Sequence, residues 1–245
     1  MARARVPTGI HGLDPLIGGG FQEGKTYLVA GGTGTGKSIL CMQYLLGGIA
    51  RGEPGVYVTV DEKPRHLIED AASLNWDLEK HIDESLLKIV DISPYFLDIR
   101  VRRPDIREVG EINCPGIVSE LARHIREIGA KRIVLDPLAP LVTTAETEQV
   151  VRDYIRGLIF SIDDTLGVTT LCSSEIPTGT KRLSRYGVEE FLVSGVIVLG
   201  FRRTGSVFNR LIYIRKMRGT PIDLSIYGYG IQRDKGIIIT SITLQ

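Results

Sequence analysis

The stretch Gly31-Gly32-Thr33-Gly34-Thr35-Gly36-Lys37-Ser38 fits a template of glycine, four residues, then Gly-Lys-Ser/Thr. Glycines let a backbone turn its N–H groups inward and approach phosphate oxygens closely. Such a loop between a strand and a helix adds the helix's unpaired amides and the positive end of its dipole. Gly32, Thr33, Gly34, Thr35 and Gly36 would cradle the phosphates, and Lys37 would neutralise the β/γ-phosphates. The Ser38 hydroxyl would ligate Mg²⁺. A nucleoside triphosphate site is implied.

Carboxylates at other strand ends extend this chemistry. Val56–Val60 reads as a buried strand and closes on Asp61-Glu62, where ligands bind in an α/β sheet. The same pair also suits the start of the helix that Pro64 opens, since acids favour that position. Arg132-Ile133-Val134-Leu135-Asp136 is an apolar run ending in one aspartate. Beside a phosphate loop, such a carboxylate holds the Mg²⁺ shell, so Asp136 is assigned to metal positioning. Val168 to Glu175 is a further strand with polar tips at the same edge.

These groups require an ordered frame. Tyr27-Leu28-Val29-Ala30 leads into the loop, and Ile39 to Leu46 follows as a buried helix that reaches about Arg51. Leu86–Ile92 predicts a third strand. Ile117, Leu121, Ile125 and Ile128 mark one face of a helix. Glu146 to Leu166 predicts another, with Val150, Val151, Ile155, Leu158, Ile159 and Ile162 inward. Val196–Phe201, Arg210–Ile214, Leu224–Tyr227 and Ile237–Ile242 close the chain as strands, punctuated by Gly205-Ser206 and Asp234-Lys235-Gly236. Alternating strands and helices predict an α/β fold, a mostly parallel sheet flanked by helices with an antiparallel β-rich C-terminal edge. Ser93 to Pro115, with Arg100, Arg102, Arg103 and Arg107, reads as an inserted loop. Residues 1–245 show no repeat or low-complexity linker and are read as a single domain.

Bulk properties exclude little. A net charge of +1 gives no global pull toward nucleic acid or acidic membranes. Cys41, Cys114 and Cys172 lack metal-ligand spacing, and Cys41 and Cys172 read as small core residues in a reducing compartment. No apolar run approaches the ~20 residues of a membrane helix, so a cytoplasmic location is expected. His11 reads as a surface loop residue.

Several motifs together resemble the RecA superfamily, specifically its KaiC-like ATPases. They are Thr8-Gly9-Ile10-His11-Gly12-Leu13-Asp14, the phosphate loop, Pro54 to Glu62, Asn75-Trp76-Asp77-Leu78, Arg185 to Phe191, and Lys216-Met217-Arg218-Gly219-Thr220. The resemblance runs from about Pro7 to Gly230 and is lost mainly in Tyr95–Pro115. It implies that Glu62, with Asp61 beside it, orients or deprotonates the attacking water. It implies nucleotide contacts from Ile39, Ser73, Lys216, Met217, Arg218 and Thr220. Lys216 and Arg218 would reach the γ-phosphate of a neighbouring subunit, so a homo-oligomer, a hexameric ring, is expected, with ATP and Mg²⁺ as its ligands. Glu189-Glu190 stand where the family's autophosphorylating domain carries a Ser-Thr pair, which implies an ATPase without autophosphorylation or circadian role. Ile222 and Gly228 replace polar residues typical of the neighbour's ribose contacts.

Two other functions stay open on the residues. One is a nucleic-acid-binding recombinase or helicase-like module, using Lys181, Arg182 and Arg185 with the arginine-rich insert. The small net charge and the lack of aromatics among those residues weigh against it. The other is a non-hydrolysing ATP sensor that engages a protein client in its ATP-bound state.

Overall fold

The computed structural model describes residues 3–93, 114–141 and 148–243. The arginine-rich insert falls largely outside these residues, and so does Glu146.

Eleven strands and six helices can be numbered along the described chain. They are β1 (Arg5–Val6), β2 (Phe21–Gln22), β3 (Thr26–Gly31), α1 (Lys37–Ile49), β4 (Gly55–Thr59), α2 (Pro64–Ser73), α3 (Leu78–Asp83) and β5 (Leu87–Asp91). Then come α4 (Cys114–Ile128), β6 (Arg132–Asp136), α5 (Glu148–Thr165), β7 (Thr169–Glu175), α6 (Glu189–Leu192), β8 (Gly195–Thr204), β9 (Val207–Met217), β10 (Tyr227–Gln232) and β11 (Gly236–Thr243). β1 and β2 form a small antiparallel pair. The others form one nine-stranded sheet in the order β11-β10-β9-β8-β3-β7-β6-β4-β5. Strands β8 through β5 in that order are parallel, and β9, β10 and β11 extend the sheet antiparallel.

The central strands are apolar along their whole length because helices cover both faces. Leu28, Ala30, Val56, Val58, Ile133 and Leu135 face α4 and α5. Their alternate neighbours Tyr27, Val29, Tyr57 and Val134 face α1, α2 and the N-terminal turns. Cys41 and Cys172 are buried thiols within these two layers. Gln43 on α1 ties the ends of the chain to this frame. Its amide donates to the carbonyls of Gly9 and Ile237 and accepts from the Ile237 amide at 2.7 Å.

Some boundaries differ from the sequence reading. The strand expected at Leu224–Tyr227 begins only at Tyr227. Pro221 and an Asp223 turn hold the preceding residues out of the ladder, with the Asp223 carboxylate accepting from the Ser225 amide and the Tyr227 hydroxyl. Val150 is an exposed residue of α5 rather than an inward one. Helix α4 starts at Cys114, inside the segment read as loop, with Pro115 in its first turn where its missing N–H costs nothing. β8 and β9 run to Thr204 and from Val207, further than their apolar cores suggest. The short α3 and α6 and the β1–β2 pair were not anticipated.

Candidate nucleotide site

The phosphate loop leaves the C-terminal end of β3, between β7 and β8. Gly31 is required there because a Cβ would lie 2.7 Å from both the Leu199 carbonyl oxygen and Thr35 Oγ1. Gly36 caps α1 in the left-handed region at φ 91°, which a side chain would strain. Thr35 closes the loop on itself by donating to the Gly32 carbonyl at 2.8 Å. From β10, the Tyr229 hydroxyl donates to the Thr35 carbonyl, so the C-terminal hairpin braces the loop.

Lys37 folds back over the loop and donates to the carbonyls of Gly31 and Gly32 at 3.0 and 3.1 Å. Burial lowers its pKa, against the opposing pull of Glu175 and Asp136. The ammonium is therefore poised over carbonyls that a phosphate would outcompete.

Asp136 ends β6 almost completely buried. The hydroxyls of Tyr57 and Ser173 each donate to one of its carboxylate oxygens. Tyr57 also lies within hydrogen-bonding reach of Ser38, and its own pKa is raised by burial and by Asp136. Ser38, Tyr57, Asp136 and Ser173 thus form one chain that brings the two expected metal-positioning residues together. Among the described residues no cluster of three or more His, Cys, Asp or Glu side chains could hold a metal alone. A site of one hydroxyl and one carboxylate fits Mg²⁺, which takes its remaining oxygens from phosphates and water.

β4 turns sharply after Thr59, whose hydroxyl donates to the Glu62 carbonyl at 2.7 Å and accepts from the Glu62 amide. That turn presents Asp61 and Glu62 at the same sheet edge. The Glu62 pKa is raised by burial, then by Asp70 and Asp136. The Asp61 pKa is raised by burial, then by Glu175 and Asp136. Glu175 pairs in register with Gly31 and so belongs to this edge. In the sequence Glu175 closes a polar strand tip, and a carboxylate at that place is the signal that marks it. A cleft of about 270 Å³ opens between α1 and α2, lined by Ser38, Ile39, Met42, Glu62, Ser73 and Trp76 among others. Four of the expected residues, Ser38, Ile39, Glu62 and Ser73, therefore share one cavity.

Lys216, Met217, Arg218 and Thr220 lie elsewhere. Lys216 pairs with Val196 and Met217 with Gly195, at the end of the sheet opposite the phosphate loop. The Lys216 ammonium donates to the carbonyls of Glu190, Phe191 and Val193, the shortest at 2.7 Å. Burial, with the repulsion of Arg218, lowers its pKa to about 8. Arg218 donates to Phe191 O at 2.9 Å, and Thr220 accepts from Arg5 at 2.7 Å. The Met217 side chain is buried in the core. Glu189 is fully buried and accepts from Ser174, Ser184 and the amides of Tyr186 and Val188, so it orders the segment around α6. Lys181, Arg182, Arg185 and His11 are exposed.

The family model for the KaiC ATPase matches residues 6–243. The chain belongs to the KaiC ATPase family. The circadian clock oscillator protein KaiC of Prochlorococcus marinus subsp. pastoris is 35% identical over 218 residues, 88% of this chain and 41% of that protein. The circadian clock protein KaiC2 of Synechocystis sp. is 33% identical over 240 residues, 98% of this chain and 40% of that one. The chain thus spans about two-fifths of the length of these curated relatives. A solved KaiC-like protein from the hyperthermophilic archaeon Pyrococcus horikoshii OT3 superposes with a TM-score of 0.80 at 36% identity, covering 97% of this chain and 99% of that one. A RecA-type, mostly parallel sheet with an antiparallel C-terminal edge is the shared architecture of this KaiC-like ATPase domain. Among the described residues no helix is long and apolar enough to cross a membrane.

Proposed function

We propose that residues 1–245 act as a single Mg²⁺-dependent ATPase domain that hydrolyses ATP between the subunits of a homo-oligomeric ring, a hexamer. The observation that carries this reading is the convergence of Lys37, Ser38, Asp136 and Glu62 from three strand ends on one sheet edge. The phosphate loop and Lys37 hold the β/γ-phosphates, and Ser38 with Asp136 positions the metal. Magnesium, when bound, neutralises charge that develops on the transferring phosphoryl oxygens. Glu62, at the mouth of the cleft, orients the attacking water and accepts its proton. Its raised pKa brings it closer to the operating pH that suits a general base.

Lys216 and Arg218 complete the site from a neighbouring copy. Their position at the far end of the sheet keeps them from their own phosphate loop, which supports a head-to-tail, heterologous contact that closes into a ring. Ile39 and Ser73 contact the nucleotide from the cleft wall, and Met217 and Thr220 support the two cationic fingers. Glu189 occupies a filled acceptor site rather than a phosphorylatable hydroxyl, in keeping with an ATPase that does not phosphorylate itself. The output would be regulatory, passed to a protein client.

The test is turnover of ATP with and without Mg²⁺, together with assembly mass with and without ATP. Glu62→Gln should abolish hydrolysis while keeping nucleotide binding. Normal turnover by that variant would remove Glu62 from the role, and single-turnover silence of the wild type would make the chain a sensor.

A further inference from the structure

The β8–β9 hairpin outruns the rest of the sheet. Gly31 at the end of β3 pairs with Leu199, yet β8 continues five residues further, to Thr204. Residues 201–208 are all exposed. Phe201 pairs with Arg210 and Arg203 with Phe208. Directly paired residues share a face, as do alternate residues of one strand, so these four side chains occupy one face of the tip. They form a two-by-two checkerboard of rings and guanidinium groups. The two rings meet edge to face at 6.4 Å between centroids, and the Arg210 guanidinium lies 5.6 Å from the centroid of Phe201. Phe208 is nevertheless 65% exposed and Phe201 43%.

Charge reinforces the pattern. Between Phe191 and Ile222 the sequence holds Arg202, Arg203, Arg210, Arg215, Lys216 and Arg218 and no aspartate or glutamate. With a net charge of +1 for the whole chain, everything outside this segment sums to −5. Three of these six, Arg202, Arg203 and Arg210, lie at the outer end of the hairpin, while Arg215, Lys216 and Arg218 lie toward its base.

The geometry points to the β8–β9 tip as a contact surface for single-stranded nucleic acid. Exposed rings offer stacking platforms for unpaired bases, and arginines beside them meet the backbone phosphates. A duplex, whose bases are already stacked, offers no free base faces to those rings. The basic loop Thr178–Arg185 lacks this combination, since it contains no aromatic residue. None of the four checkerboard residues belongs to the proposed ATP machinery, so the surface stands or fails independently of it.

The test is fluorescence anisotropy of the full chain with labelled oligo-dT and oligo-U of about 20 nucleotides, against a duplex of equal length. Wild type should bind a single-stranded probe more tightly than the duplex, and the preferred polymer tells DNA from RNA. Phe201→Ala and Phe208→Ala should each weaken binding roughly tenfold. Arg203→Gln should flatten the slope of log affinity against log salt by about 0.7, the share of one phosphate contact. All are surface substitutions, so their melting curves should match wild type. Absence of wild-type binding at low salt, or undiminished binding by the double Phe201→Ala/Phe208→Ala variant, overturns the proposal. So does a double variant whose only defect is a lower assembly mass, because the tip would then be a contact between copies of this chain.

Discussion

If the site is completed in trans, two dead proteins should repair each other. Lys37→Ala removes the phosphate-binding ammonium, and Arg218→Ala removes a finger while leaving the phosphate loop intact. The Arg218 amide bonds to the Ser194 carbonyl, and the Ser194 amide to the Thr26 carbonyl, which sets Arg218 level with the start of β3. Gly31 lies five residues along that strand, about 16 Å away at ~3.3 Å per residue. An arginine anchored there and turned toward Phe191 does not reach a phosphate bound beyond Gly31 of its own chain. Loss of such a finger costs about 10³-fold or more in turnover, so each variant alone should be silent. In a randomly mixed 1:1 assembly, a site works when its loop comes from an Arg218→Ala chain and its finger from a Lys37→Ala chain. Each condition holds for half the neighbours, so about one quarter of wild-type activity should return, whatever the ring size. Phosphate release from subunit-exchanged mixtures reads this directly, with light scattering to confirm that mixed assemblies form. A mixture that assembles yet stays at background refutes the trans placement, and so does full turnover by a strictly monomeric preparation.

Other consequences are more local. The acid limb of kcat/KM should lie above the pH of an ordinary glutamate, about 4.3, because burial, Asp70 and Asp136 disfavour ionised Glu62. Asp70→Asn removes one of those charges, so the limb should move to lower pH, and an unmoved limb would detach Glu62 from the rate. Tyr229→Phe leaves the Thr35 carbonyl without its donor, which should cost about 1 kcal/mol and about 2–4 °C in Tm. The same variant should raise the Kd for ATP in a calorimetric titration, and unchanged affinity would limit Tyr229 to a packing role. Glu189→Ala strands the Ser184 hydroxyl and the Tyr186 and Val188 amides, so urea unfolding should show a loss of about 3 kcal/mol or more. A loss under about 1 kcal/mol would mean that these donors find other acceptors.

The fold and half of the site could be read from the chain because their signals are local. The phosphate loop is eight consecutive residues, and β3, β4, β6 and β7 are apolar runs whose polar ends declare which sheet edge binds ligand. Elements whose reason is tertiary escaped. Helix α6 has only four residues, and the chain around it is held by the buried Glu189 carboxylate rather than by helical periodicity. The outer parts of β8 and β9 have no core beneath them, so alternation of apolar residues could not mark their ends. Tyr57 and Tyr229 carry no sequence signal as site residues because their work is done on partners 79 and 194 positions away, whereas Ser173 is legible only as part of a polar strand tip, its partner lying 37 positions away.

Lys216 and Arg218 are the sharpest case. By composition they are a basic turn, and only resemblance assigned them chemistry. In the folded chain all three protons of the Lys216 ammonium are engaged by carbonyls at the far end of the sheet from the phosphate loop. Reaching a neighbour's phosphate means surrendering those three bonds to a stronger, charged acceptor. If Lys216 acts in trans as proposed, the anchorage that keeps it from its own nucleotide would set a threshold that only a correctly docked, nucleotide-loaded neighbour overcomes, and assembly and hydrolysis would become one event.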